Sequence, residues 1–347
     1  MQHVRGRVMN TAAHTVDLSA AYLGMQLTSP IVASSSPVTG DPRMWDRLER
    51  AGAGAIVLPS LFEEQIAREN LAFEAAINAA SAADNPGGSS LATRFDSGPA
   101  HHISLVEQAR AQLSIPVIAS INGVTPGGWV HYARHLAEAG ADAIELNLYD
   151  VVADHREGAK DVERRYVELV AEVRAQVSVP LAVKIGPSFT ALANFAIELE
   201  RAGADGLVLF NRLYETEIDV DSLTVVPNLV LSAPATTSPA LHWIGIIRGC
   251  EEYIGSLAGT TGVHTGMDAL KLLLAGANVA MTASAVMLHG PEVITSMNES
   301  IRAWMQTHDY TSVQQLRGSM SRRNVADPGV YERLNYYQTL HSWAATG

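Results

Sequence analysis

Residues 51–60 read AGAGAIVLPS, 139–148 AGADAIELNL, 202–211 AGADGLVLFN and 275–284 AGANVAMTAS. Ala-Gly-Ala followed by an apolar run is thus written four times, an internal repeat that organises the chain. A helix-like segment precedes the glycine, as in FAIELERAG (195–203). Glycine just past a helix supplies the left-handed residue that closes it, and the apolar residues after it read as a strand buried on both faces. Each copy is therefore the helix-to-strand junction of a parallel sheet.

Working outward, four more strands come from PIVASS at Pro30, PVIASING at Pro116, PLAVKIG at Pro180 and IGSLAG at Ile254. Strands then begin near 30, 54, 116, 142, 180, 205, 254 and 277, with segments able to hold helices between them, such as VERRYVELVAEVRAQV (162–177). Eight β/α units in 347 residues fit a closed (β/α)8 TIM barrel better than two doubly wound sheets. The expectation is an α/β chain forming one domain over 1–347: a short N-terminal β extension, a barrel from about 28 to 305 and a C-terminal helical tail from about 306 to 347. Two connections are too long for plain βα loops. Residues 61–102, after strand two, include the low-complexity EAAINAASAADNPGGSSLATRFDSG (74–98), read as a helix and a flexible Gly/Ser lid. Residues 212–236, after strand six, include LYETEIDVDSLTVVPN (213–228), read as a hairpin excursion. Both leave from strand C-terminal ends, the face that carries barrel chemistry.

Composition removes several classes of function. A chain with 47% hydrophobic and 17% charged residues and mean hydropathy +0.08 is globular rather than disordered. Its single cysteine, Cys250, excludes an intrachain disulfide framework and any four-cysteine metal site, and points to a reducing compartment. Twelve histidines occur without HExxH or a similar ligand spacing, so no metal is expected. With 24 Lys+Arg against 36 Asp+Glu, the net charge of −12 disfavours nucleic acid and anionic lipid as partners. No signal-peptide pattern and no long apolar run appears, so a cytoplasmic protein that does not engage membranes is expected.

Polar residues at strand ends carry the candidate chemistry. GTTGVHTG (259–266) follows strand seven and TASA (282–285) ends strand eight. Small residues there let backbone N–H groups approach an anion, the barrel phosphate site, for which a phosphosugar, a flavin or another phosphorylated ligand would serve. Lys184 lies inside PLAVKIG, and a lysine buried in a strand needs an anion or acceptor beside it. It reads as a structural ion-pair member, a Schiff-base lysine or a cation for a cofactor. Asn122, Asn147 and Asn211 end three strands and suit a ring edge that offers both donors and acceptors, as a flavin does.

TSPIVASSSPVTG (28–40), ELNL (145–148), AVKI (182–185), AGTTGVHTGMDALKLLLAGA (258–277) and TASA, in that order and spacing, resemble the dihydroorotate dehydrogenase family, and more closely its divergent dihydroorotate dehydrogenase-like branch. The resemblance runs from about Leu18 to Arg302. It implies an oxidoreductase with non-covalent FMN that takes hydride at N5 from dihydroorotate or a related CH–CH donor, a place in pyrimidine biosynthesis and a homodimer. It also implies that Thr261, Gly262, Ala283 and Ser284 hold the FMN phosphate. Ala33, Ser34, Ser60, Asn122, Asn147, Lys184 and Asn211 would then contact the rest of the cofactor. Lys184 would stabilise the anionic reduced flavin. The acceptor of the electrons stays open among fumarate, a quinone, NAD through a partner subunit and an iron–sulfur protein.

The orotate half of the pattern is largely replaced. Pro59 stands where the family has a lysine on strand two, and NLYD (147–150) puts Asp150 at the position of the family's base. Val152 replaces a substrate-binding asparagine, and TRFDSGPAHH (93–102) has no counterpart of the Asn-rich substrate loop. Ala233 and Pro234 replace a Gly-Gly pair, and Pro234 has no N–H to give a cofactor. Asp150 is the expected catalytic base beside Lys184, with Tyr149 as an alternative and His101 and His102 as possible lid contacts. Tyr336, Tyr337 and Trp343 are expected to pack on a tail helix as core or dimer contacts. Two other readings remain: a phosphate-binding lyase or aldolase using Lys184, and a flavin-binding subunit without dihydroorotate activity.

Overall fold

The computed structural model describes residues 15–69, 71, 98–212, 216–228 and 230–342. Eight parallel strands close on themselves in chain order: β1 (Ile31–Ala33), β2 (Ala55–Phe62), β3 (Val117–Asn122), β4 (Ala143–Asn147), β5 (Leu181–Ile185), β6 (Gly206–Leu209), β7 (Ser256–Gly259) and β8 (Val279–Thr282). Closure is made by β8 against β1, where Met281 pairs with Val32. Helices α1 (Pro42–Arg50), α2 (Pro99–Gln112), α3 (His131–Glu138), α4 (Ala159–Gln176), α5 (Leu192–Arg201), α6 (Ser238–Arg248) and α7 (Gly266–Ala275) surround the barrel. The short α8 (Ser284–His289) and α9 (Val293–Thr307) follow β8. This is the expected TIM barrel. The Gly/Ser stretch read as a lid lies mostly outside the described residues, as does Trp343.

The repeat explains how the barrel is stitched at its N-terminal end. Gly52, Gly140, Gly203 and Gly276 have φ between +88° and +131°, the conformation that ends α1, α3, α5 and α7 without a Cβ penalty. Three copies continue with Asp or Asn, and each repeats one clamp. Asp142 Oδ2 accepts from Val117 N–H at 2.8 Å and pairs with Arg110 at 3.0 Å. Asp205 Oδ2 accepts from Leu181 N–H at 2.8 Å and from Arg174 at 2.9 Å. Asn278 Oδ1 accepts from Leu257 N–H and from Arg248, both at 3.0 Å. One side chain thus binds the start of the preceding strand and an arginine of an earlier helix, joining β3 to β4, β5 to β6 and β7 to β8.

The N-terminal extension is a hairpin, Ala20–Tyr22 against Met25–Leu27. Leu23 N–H donates to Ser256 Oγ at 3.0 Å and Asn278 Nδ2 to the Ala21 carbonyl at 2.7 Å, so the hairpin lies across the strand N-termini of the barrel. The excursion after β6 is also a hairpin, Thr216–Asp219 against Thr224–Pro227. The tail helix Arg333–Ser342 leaves Tyr336 and Tyr337 exposed rather than packed in a core.

Candidate active site

Asn122, Asn147 and Lys184 sit side by side in register at the ends of β3, β4 and β5, and all three are buried. Asn211, two residues past β6, is held by its N–H on the Ile185 carbonyl at 2.8 Å. Its Nδ2 donates to Asn147 Oδ1, also at 2.8 Å. Two residues before Asn147, and therefore on the same face of β4, lies Glu145. It is 1% exposed, and its Oε1 is 3.5 Å from Lys184 Nζ. Neither Glu145 oxygen accepts a hydrogen bond from the described residues.

On the β1–β2 side, Ala33 and Ser34 are buried, and Ser34 N–H donates to the Thr282 carbonyl at 2.9 Å. The Ser60 and Ser120 hydroxyls meet at 2.7 Å. The register of β2 against β3 shifts between Val57 and Ser60, and Pro59 occupies that bulge, where a residue without an N–H is tolerated.

The loops after β7 and β8 form the other half of the mouth. Thr261 and Gly262 have φ of +72° and +81°. A Cβ on Gly262 would stand 2.7 Å from Thr237 N and 2.8 Å from the Ala233 carbonyl oxygen, so the close approach there requires glycine. Thr261 Oγ1 donates to the Phe210 carbonyl and Thr282 Oγ1 to the Val263 carbonyl, each at 2.9 Å. Thr265 and Asp268 form a capping box that starts α7. Ser284 Oγ accepts from Ser232 N–H at 3.1 Å and from Ser232 Oγ at 2.8 Å, which lays the Ser232–Thr237 segment over these loops. A cavity of about 360 Å³ opens beside it, lined by Asn211, Arg212, Asn228, Thr236, Thr260 and Thr261.

Asp150 stands three residues beyond β4. Its Oδ2 accepts from Arg165 Nη2 at 3.0 Å, and Arg165 also pairs with Glu157 at 2.8 Å. Burial, reinforced by the Asp150 charge, pushes the neighbouring Tyr166 hydroxyl up to about 12. His102 on α2 is buried, and desolvation pushes its imidazole below the usual range, whereas His101 is exposed. Cys250 is half-buried past the end of α6, and burial pushes its thiol up, unlike a nucleophile's.

Two charged residues of this region escape a reading by motif. Glu145 interrupts AIELN as Lys184 interrupts LAVKI, so a charge inside a buried strand was the available signal. Arg212 lines the cavity, its Nη1 is buried without a hydrogen-bond partner, and it forms no ion pair among the described residues. Nothing in its loop sequence marks it.

The family profile of dihydroorotate dehydrogenase matches residues 76–305. The chain belongs to the dihydroorotate dehydrogenase family. A protein of Aeropyrum pernix, provisionally named dihydroorotate dehydrogenase A (fumarate), is 30% identical over 88% of this chain and 98% of its own length. Two proteins named dihydroorotate dehydrogenase B (NAD(+)), catalytic subunit, from Pyrococcus abyssi and Methanothermobacter thermautotrophicus, are each 27% identical over 87% of this chain, and over 98% and 97% of their own lengths. At this distance the chain is a divergent member of the dihydroorotate dehydrogenase family, consistent with the dehydrogenase-like branch. No helix among its described residues is long and apolar enough to cross a membrane.

Proposed function

We propose that the chain is an FMN-dependent oxidoreductase acting on a CH–CH donor, with dihydroorotate or a close relative of it as the substrate. The observation that carries this reading is the row of Asn122, Asn147, Lys184 and Asn211 on four neighbouring strand ends, beside the small-residue loops of β7 and β8. The donor set suits FMN: carboxamides give and accept hydrogen bonds along a ring edge, and an ammonium matches the edge that becomes negative on reduction. Thr237 Oγ1, buried beside Gly262 without a hydrogen-bond partner among the described residues, suits a ligand bringing additional oxygen atoms to that loop.

FMN, when bound, supplies the hydride acceptor. The chain's own residues do the rest. Thr261, Gly262, Ala283 and Ser284 hold the phosphate, and Ala33, Ser34, Ser60 and the three asparagines hold the ring system. Lys184 keeps a positive charge at the ring edge. Asp150, oriented by Arg165, accepts the proton that leaves the substrate carbon next to the hydride donor. The exposed Ile218 and Val225, paired across the β6 hairpin, give the expected homodimer an apolar face.

Purified protein should carry a flavin absorbance band that dihydroorotate bleaches without oxygen. Colourless protein that takes up no FMN on reconstitution overturns the reading. Flavin that stays oxidised with dihydroorotate retains the flavoprotein and removes this substrate. The lyase reading is disfavoured by the Lys184–Glu145 pair, since an ammonium in an ion pair has no lone pair for a carbonyl. Borohydride trapping of a carbonyl substrate on Lys184 would restore it.

A further inference from the structure

Glu145 is a buried carboxylate that the chemistry above does not use. Only Asp268 is comparably buried among the described acidic residues, and Asp268 accepts from Thr265 N–H at 2.9 Å and Thr265 Oγ1 at 2.8 Å. Glu145 accepts no hydrogen bond from the described residues, and its carboxylate faces Lys184 Nζ at 3.5 Å. Tyr22, carried by the hairpin across the barrel floor, is fully buried with no hydrogen-bond partner for its hydroxyl among the described residues. Burial and then the Glu145 charge push that phenol well above its usual range, so it remains neutral. The register places Lys184 level with Asn147 and Glu145 one layer below them. The ion pair therefore runs from the mouth down into the barrel.

A buried carboxylate is retained when a cation compensates it, and the compensation is mutual. Whatever positive field Lys184 presents at the mouth is reduced by the carboxylate behind it. We propose that Glu145 is a positioning residue that draws the Lys184 ammonium into the barrel and offsets its charge, and so holds down the reduction potential of the flavin at the mouth. This rests on the FMN reading. Reduction adds two electrons and a proton to the ring and leaves negative charge at the edge that Lys184 faces, so loss of Glu145 favours the reduced form.

The test uses flavin-loaded protein and two readouts other than turnover: the midpoint potential, and titration of the oxidised flavin with sulfite, whose adduct also leaves negative charge on the ring. Glu145→Gln keeps the side-chain shape. It should move the potential to more positive values and tighten sulfite binding by about tenfold, the order expected for removal of one unit charge at a few ångströms to about ten. Glu145→Asp, which withdraws the carboxylate by one methylene, should fall between wild type and Gln, and it carries the test if the Gln variant does not accumulate. Lys184→Met should shift both readouts the opposite way. Unmoved potential and sulfite affinity in a flavin-loaded Glu145 variant overturn the proposal and leave the FMN reading standing. Weaker sulfite binding in Glu145→Gln also overturns it, because Glu145 would then be sustaining the lysine's charge instead of offsetting it. Protein that binds no flavin overturns the FMN reading itself.

Discussion

Asn211 Nδ2 donates to Asn147 Oδ1 across 2.8 Å, and so links the ends of β6 and β4 over the end of β5, which lies between them and carries Lys184. Neighbouring barrel strands are joined by their backbone ladder, whereas β4 and β6 are not neighbours. The carboxamide bond crosses that gap and fixes two strand-end side chains relative to the lysine on the strand between them.

Replacing either asparagine by alanine should cost about 1 kcal/mol of stability, the net worth of one such hydrogen bond. The double variant should cost less than the two single effects added together, because each single change already removes the contact. Denaturant unfolding of the four proteins measures this. Strict additivity would mean that the bond contributes nothing.

Asp150→Asn should retain flavin and lower the rate at which a donor bleaches it by on the order of 10²- to 10⁴-fold, the usual contribution of a positioned base. Its partly exposed pair with Arg165 should be worth only about 0–1 kcal/mol. Stopped-flow reduction separates the roles: an unchanged rate leaves Asp150 as an ion-pair member alone.

His102 supplies a pH dependence. Burial is the main cause that lowers its folded-state value, and the neighbouring His101 adds to it, while bonding to the Gly98 and Ser60 backbone works in the opposite sense. The unfolded chain therefore binds the proton first as pH falls below about 6.5, and stability declines from there down to the lowered folded value. Above about 6.5 both states are neutral and His102 gives no slope. Unfolding midpoints should fall in this acid window for wild type and fall less for His102→Gln. Equal slopes for the two proteins would refute this.

Arg212→Gln should leave the ligand-free protein as stable as wild type or more so, since it removes a buried Nη1 donor that has no acceptor among the described residues. The same change should weaken binding of an anionic ligand at the mouth about tenfold or more, because a guanidinium–oxyanion contact is lost. Thermal shift with orotate and with neutral uracil reads both effects. Loss of the orotate shift without change for uracil is the expected result, and identical shifts in both proteins exclude Arg212 from anion recognition.

The barrel was legible because its signals are local. Each Ala-Gly-Ala combines a helix-ending glycine with a strand in one short stretch, and in three copies the Asp or Asn that follows clamps the start of the preceding strand. Strand-end residues such as Asn122, Asn147 and Lys184 were legible for a related reason, as polar side chains interrupting apolar runs. Glu145 carries the same mark within ELNL, but the run itself does not show which cation the carboxylate faces. Asp150 was legible as a carboxylate at a strand end, but its pairing with Arg165 was not, because the two are fifteen positions apart and meet only when α4 packs back on the barrel.

The amino-acid sequence by itself determined the order of the β/α units, the closed barrel and the end of it that carries the candidate site, because helix caps and strand burial depend on neighbours along the chain. Tertiary structure alone decided that Glu145 faces Lys184, that Asn211 reaches Asn147 over an intervening strand and that Arg212 Nη1 lies buried without an acceptor among the described residues. Those relations depend on strand register and barrel closure, which bring together residues far apart in the chain and set which charges are compensated and which are left for a ligand.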